Sequence, residues 1–344
     1  MLPRRDRSWP FLKGVLLCSL TLSSPMAADL DTGDAYSFDD FPREEPLVYP
    51  DWFKRSFLDI RTDLEEALAA GKRGLMVYFG QQRCPYCQRL MRVNFGLSDI
   101  VEYTRRHFDV VPIDIHGIEE VATLDGDLVS EQEWALREET DFTPSILFYD
   151  AEGREALHLR GYYPPYQFRA ALEYVADGHY RRESFRDYLA RGENRMVFDS
   201  EDLNEESFFA PPPHNLDRRV RAERPLVVFF EQGDCHPCDV LHGQALREPA
   251  VRRHFGDLDA VQLDIRSETP LITPGGRRTT ARDWAADLGL FYAPALLFFD
   301  EAGREFLLLD SVAGFYRLRQ VMRYVAAKAY RDRSYGAWRA SRRE

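Results

Sequence analysis

The chain has 344 residues, 44% of them hydrophobic and 30% charged, and a formal net charge of −12. That is ordinary globular composition, which excludes wholesale disorder, a collagen-like repeat and a polytopic membrane protein. An acidic chain without a long basic run is also a poor nucleic-acid binder. At roughly 100–200 residues per domain the length allows about two domains, and five cysteines are too few for a disulfide scaffold.

Residues 1–28 have the layout of a secretory signal peptide. Arg4, Arg5, Arg7 and Lys13 give a positive start, Gly14 to Leu22 a short apolar core, and Pro25-Met26-Ala27-Ala28 a small-residue end. Cleavage after Ala27 or Ala28 would remove Cys18 and leave a mature charge near −15. The four remaining cysteines would sit in the periplasm, an oxidising compartment where disulfide chemistry is sustained, with no stable membrane insertion after the signal is removed. Residues 29–45 are acidic and turn-rich. They are expected to be a poorly ordered lead-in, because their apolar content is too low to offset the entropy of ordering.

The four cysteines form two pairs, Cys84-Pro85-Tyr86-Cys87 and Cys235-His236-Pro237-Cys238, 151 positions apart. Trp134-Ala135 recurs as Trp284-Ala285, Pro144 as Pro294, Asp150–Glu155 as Asp300–Glu305 and Tyr180-Arg181 as Tyr330-Arg331, each at an offset of 150. Gly161-Tyr162-Tyr163 pairs with Gly314-Phe315-Tyr316 at 153. One offset held over landmarks in the same order marks a tandem duplication. The first repeat spans 46–193. An acidic, Pro-rich linker spans 194–213 and ends in Pro211-Pro212-Pro213, a stiff extended segment. The second repeat spans 214–337, and 338–344 is a charged tail.

The elements alternate within each repeat. Leu75–Phe79 and Leu226–Phe230 are short apolar runs suited to buried strands, each ending just before its cysteine pair. Helical patterns follow (Leu90, Met91, Phe95; Val240, Leu241, Ala245, Leu246), then strands at Val110–Ile115 and Ala260–Ile265. Asp125-Gly126 and Pro274-Gly275-Gly276 mark small hairpins. Ser130 with Glu133 is a capping box and Thr280 with Asp283 imitates it, so helices carrying Trp134 and Trp284 start there. Strands at Ser145–Tyr149 and Ala295–Phe299 lead through glycine turns to strands at Glu155–Arg160 and Glu305–Asp310, and a long helix closes each repeat. The pattern predicts an α/β fold of two tandem domains, each a central mixed β-sheet flanked by helices.

The cysteine pairs carry the chemistry. A thiol at a helix N-terminus faces unpaired N–H groups and the positive end of the helix dipole, which favour the thiolate. The outer cysteine then attacks a disulfide and the inner one resolves the mixed disulfide, so Cys84 and Cys235 are the candidate nucleophiles and Cys87 and Cys238 the resolvers. A zinc ribbon would need its pairs about 15–20 residues apart, whereas nearly 150 residues separate Cys87 from Cys235. A purely structural disulfide over so short a loop would stabilise little through chain entropy. Arg83 puts a cation beside Cys84 and Asp234 an anion beside Cys235, while His236 lies inside the second motif. These three are candidate pKa modulators; Arg83 and Asp234 make Cys84 the expected client-facing nucleophile, while a protonated His236 works against Asp234. His214, His242 and His254 read as solvated surface residues.

Both repeats resemble thioredoxin domains: a C-x-x-C after a buried strand, a proline about 60 residues later, and a strand-turn-strand ending in Gly-Tyr or Gly-Phe. The Asp-Gly hairpin, the Trp-Ala helix and the Gly161-Tyr162 stretch are similar to the SoxW-like periplasmic thioredoxin-related branch. The resemblance implies that Pro144 and Pro294 are cis and face the cysteines, and that Thr143 and Ala293 pair with the extended backbone of a substrate. Two features depart from thioredoxin. Tyr78 and Phe229 stand where it has a buried acid, and Arg83 and Asp234 where it has a tryptophan, which leaves proton transfer to water or, in the second repeat, to Glu231.

The function expected is an exported thiol:disulfide oxidoreductase acting on protein dithiols and disulfides, with no metal and no organic cofactor. By the resemblance it is a reductant fed by a membrane thiol-electron transporter. The alternatives are a disulfide oxidase or isomerase, or a two-domain peptide-binding chaperone with redox activity in one domain or neither.

Overall fold

A computed structural model describes residues 36–192 and 203–342. The expected signal peptide, the start of the lead-in and the first half of the linker lie outside the described residues. The first repeat runs α1 (Ile60–Ala69), β1 (Gly74–Gly80), α2 (Pro85–Arg89, continued by a π-helical turn Leu90–Asn94), α3 (Ser98–His107), β2 (Phe108–Asp114), β3 (Glu120–Ala122), β4 (Leu128–Ser130), α4 (Glu131–Arg137), β5 (Ser145–Tyr149), β6 (Glu155–Arg160), α5 (Pro165–Ala176) and α6 (Phe185–Gly192). The second runs β7 (His214–Asn215), β8 (Leu226–Glu231), α7 (His236–Gly243), α8 (Pro249–Arg252), β9 (Asp259–Asp264), β10 (Pro270–Ile272), β11 (Arg278–Thr280), α9 (Ala281–Asp287), β12 (Ala295–Phe299), β13 (Glu305–Leu309), α10 (Phe315–Ala326) and α11 (Tyr335–Arg342).

Each repeat folds around one four-stranded mixed sheet, in the order β2-β1-β5-β6 and again β9-β8-β12-β13. β1 pairs parallel with β2 and antiparallel with β5, and β8 does the same with β9 and β12. Every residue of β1 and β8 is buried, because helices cover both faces of a central strand; that is why these strands read as unbroken apolar runs. Successive side chains still go to opposite faces. Leu75, Val77 and Phe79 join Trp134 in one core layer, and Met76 and Tyr78 join Phe148 and Phe168 in the other. Both expected N-caps form: Ser130 Oγ accepts the Glu133 N–H (3.2 Å) and Thr280 Oγ1 the Asp283 N–H (3.1 Å). Among the described residues no helix is long and apolar enough to cross a membrane.

The structure differs from the expected boundaries in four places. The lead-in is expected to be poorly ordered, yet 36–45 is packed chain: Tyr36 and Phe38 lie against the first core and Asp40 is buried. Its acids find donors that composition does not reveal. Part of the expected linker belongs to the second domain, since Phe208 and Phe209 pack on its core and Phe209 bridges Ala260. Of the expected tail at 338–344, the described residues 338–342 are the end of α11, with Trp338 buried among Tyr324 and Tyr335. Finally, the structural counterpart of Gly161 is Ser311, 150 positions on and at the same bend after the last strand of its sheet, rather than Gly314 at the 153 offset.

If 338–342 were a solvated tail, truncating Trp338 would be neutral. The packing instead predicts that Trp338→Ala lowers stability by about 3 kcal/mol, read as a fall in the urea midpoint. An unchanged midpoint would contradict the packed helix.

Candidate functional site

β1 and β8 each deliver the chain to a cysteine that caps the next helix. Cys84 Sγ accepts the N–H of Cys87 at 3.0 Å, and Cys235 Sγ accepts that of Cys238 at 3.2 Å. Each pair is joined as a disulfide with its Cα atoms 5.2 Å apart. Cys87 and Cys238 are fully enclosed, while Cys84 and Cys235 lie at the edge of the buried region. On reduction, an N–H already aimed at the outer sulfur favours the thiolate over the thiol.

The pre-proline loops complete each centre. The Thr143-Pro144 and Ala293-Pro294 peptides are both cis. Cys84 Sγ lies 3.4 Å from Thr143 Oγ1 and 3.7 Å from Thr143 O, and Cys235 Sγ lies 3.8 Å from Ala293 O. The fold therefore brings the cysteines and both pre-proline residues together. Arg83 and Asp234, just before the nucleophiles, adopt left-handed backbone (φ 63° and 50°), uncommon for residues with a Cβ. The Arg83 Nε donates to Arg43 O (3.1 Å). Asp234 and His236 are exposed, and the His236 ring meets Tyr36 edge-on at 5.7 Å.

The repeats differ beneath the thiols. Glu231, at the end of β8, is fully buried; its carboxylate accepts from Gln262 Nε2 (2.6 Å) and faces His242 Nε2 at 2.9 Å. His242 is thus not the solvated residue expected. Burial, the largest influence, opposes its charge, but Glu231 and Glu206 outweigh burial and raise its pKa. It sits four residues after Cys238 on α7 and so shares that helix face. His214 is also buried, and burial lowers its pKa. The first repeat has Gly80 in place of Glu231, and a buried Tyr78 whose phenol burial pushes well above its usual pKa. Among the described residues no cluster of three or more His, Cys, Asp or Glu is placed to hold a metal ion.

The two domains pack with these centres inward. Phe142 enters the core of the second repeat, and Tyr292 and Val312 enter that of the first. The Val312 N–H donates to Tyr162 O (3.3 Å), and a Cβ added to Gly161 would stand 2.0 Å from Ser311 Oγ, so this contact requires glycine. The segment 36–42 straps the junction. Asp40 accepts from Tyr86 Oη (2.7 Å) and from the N–H groups of Tyr316 (2.8 Å) and Arg317 (2.9 Å). Arg317 Nη2 donates to Thr143 O (2.8 Å), with its guanidinium 3.4 Å above the Tyr86 ring. Gln81 Nε2 donates to Thr143 Oγ1 (3.0 Å). Sequence reasoning missed Asp40, Arg317 and Gln81. They reach the first dithiol through domain packing, and no local motif announces them.

The sequence signature of the thioredoxin-like domain matches residues 60–176 and 213–326. The chain belongs to that family, and carries the domain twice. Among solved structures, it is similar to a thioredoxin-fold protein from Helicobacter pylori (26% identity, 34% of this chain and 78% of that one, TM-score 0.31). It is similar to a thioredoxin from Thermus thermophilus (24% identity, 41% and 95%, TM-score 0.28) and a disulphide isomerase from Xylella fastidiosa Temecula1 (17% identity, 43% and 100%, TM-score 0.24). No curated protein matches the chain.

Asp310, at the domain junction beside Tyr163, has its pKa raised from 3.8 to about 6 by burial. An acid whose folded pKa is raised gives stability that is full below 3.8 and is lost as pH climbs through about 6. An Asp310→Asn variant should therefore gain on the wild type in urea midpoint from pH 3.8 to 6 and hold that gain above it. A pH-independent difference would show that the carboxyl is not buried in solution.

Proposed function

We propose that the chain is an exported thiol:disulfide oxidoreductase working as a reductant. The observation that carries the redox assignment is repeated in both domains: an outer sulfur that accepts the N–H of its own partner cysteine, within 4 Å of the carbonyl before a cis-proline. In the reaction, the thiolate of Cys84 or Cys235 attacks a substrate disulfide, forming a mixed disulfide and releasing one substrate thiol. Cys87 or Cys238 then attacks the outer sulfur and releases the second thiol, so two electrons leave the protein and one disulfide closes in it. The reductant direction and a membrane thiol-electron donor rest on the resemblance to the SoxW-like branch, and export to the periplasm rests on residues 1–28. A peptide-binding chaperone is less well supported, because the pre-proline loop of the first domain is covered by the second: Thr143 is buried and its carbonyl already accepts from Arg317.

Alkylation before and after reduction should add four labels to the chain without Cys18, and Cys87→Ser or Cys238→Ser should trap mixed disulfides that reductant releases. A chain that binds unfolded protein unchanged after all four cysteines become serine would support the chaperone instead. The direction is read from the potentials: values near the roughly −270 mV of thioredoxins fit a reductant, and values near about −120 mV would make it an oxidase.

A further inference from the structure

The two dithiols are not equally open to a polypeptide. In thioredoxins an extended substrate pairs its main chain with the residue before the cis-proline. At the first centre that acceptor, Thr143 O, is already held by Arg317 Nη2 at 2.8 Å. Arg317 is fixed in turn: its own N–H is bonded to the buried Asp40 carboxylate, its Nη1 donates to Val312 O (2.9 Å), and its guanidinium lies on Tyr86. The residue 150 positions earlier is Gln167, and among the described residues no guanidinium stands on Ala293 O in the same way.

What remains at the first centre is a cavity of about 260 Å³ that Cys84 lines, roofed by the second domain. That is below the roughly 300–1,000 Å³ of pockets for drug-sized ligands. Its charge is one-sided. Arg83, Arg317 and Arg339 line it against Asp40, whose oxygens are taken by the Tyr86 hydroxyl and two backbone N–H groups. The three guanidinium groups meet neutral oxygens: Arg43 O, Thr143 O and Asp141 O. A small pocket with surplus positive charge selects anions.

The geometry points to a division of substrates: the Cys84–Cys87 centre exchanges with low-molecular-weight disulfides or thiols that carry carboxylates, and protein disulfides are left to Cys235. This rests on the redox reading above and reverses the expectation that Cys84 faces protein clients. In the step, the Cys84 thiolate attacks one sulfur of a small disulfide RSSR and RS⁻ leaves to take up a proton. Cys87 then attacks the Cys84 sulfur and expels the second RS⁻. One disulfide becomes two thiols, and the protein dithiol becomes a disulfide.

The test uses the full chain with Cys235→Ser and Cys238→Ser, reduced and followed through a single oxidation by alkylation. The probes are 3,3′-dithiodipropionate (dianion), 2-hydroxyethyl disulfide (neutral), cystamine (dication) and the disulfides of insulin, each rate divided by that with dithiothreitol. The dianion should lead the dication by about tenfold or more, with insulin slowest. Arg317→Gln, which installs the residue of the other repeat, should flatten the charge order and raise the insulin rate. As a check needing no further substitution, about 1 M salt, which shortens the screening length to about 3 Å, should flatten the order too. A dication as fast as the dianion, or insulin as fast as either in the protein that keeps Arg317, overturns the division. If none of the four probes oxidises Cys84, the redox reading itself fails.

Discussion

Asp40 is a buried carboxylate on which a tyrosine hydroxyl and two backbone N–H groups converge, and the arrangement of the two redox centres follows from it. A carboxylate out of water is tolerated only when its lone pairs are satisfied. The donors come from different domains: Tyr86 from the first motif, Tyr316 and Arg317 from the first turn of α10. Their joint bonding sets the strap, the helix and the motif in one geometry. It also aims the Arg317 side chain at Thr143 O and lays it over Tyr86. In this way an acid outside both repeats decides what the first dithiol can meet.

Around that point the domains cover one another. Each repeat of this fold has an apolar rim beside its dithiol, made here by Phe142 and Tyr292 with their neighbours. Burying large aromatic side chains is favourable by a few kcal/mol each, and turning the two rims together buries both. The close approach of Gly161 to Ser311 and the backbone bond from Val312 to Tyr162 show how little space is left.

Duplication supplied two equal scaffolds, and substitution made them unequal. The second centre has a buried Glu231–His242 pair one helical turn from its resolving cysteine, where the first has Gly80 and a neutral Tyr78. The first centre has Tyr86 in its motif and receives Arg317. The second has Pro237, and Gln167 occupies the position equivalent to Arg317. Identical backbones thus hold thiols in different electrostatic surroundings, which is the condition for two dithiols in one chain to do different work.

Much of this was legible in the sequence because the signals are local or periodic. Unbroken apolar runs identify β1 and β8, a hydroxyl three residues before an acid starts α4 and α9, and one offset repeated over many landmarks gives two domains. The C-x-x-C spacing places two sulfurs within a helical turn of each other, so the chemistry follows from residue types alone. What sequence could not settle were contacts between distant residues. Asp40 sits in a run of acids that reads as solvated, and only folding shows which of them has donors waiting. His242 reads as a surface residue until Glu231 is found opposite it. Trp338 reads as part of a charged tail until the aromatic side of α10 is there to receive it. Arg317 lies more than 170 positions from Thr143, and nothing in its neighbours' chemistry points across that gap. The sequence determined the fold of each domain and the atoms that react, because both depend on short-range pattern. The tertiary structure decided what those atoms can reach, because that depends on how two folded surfaces exclude water from each other.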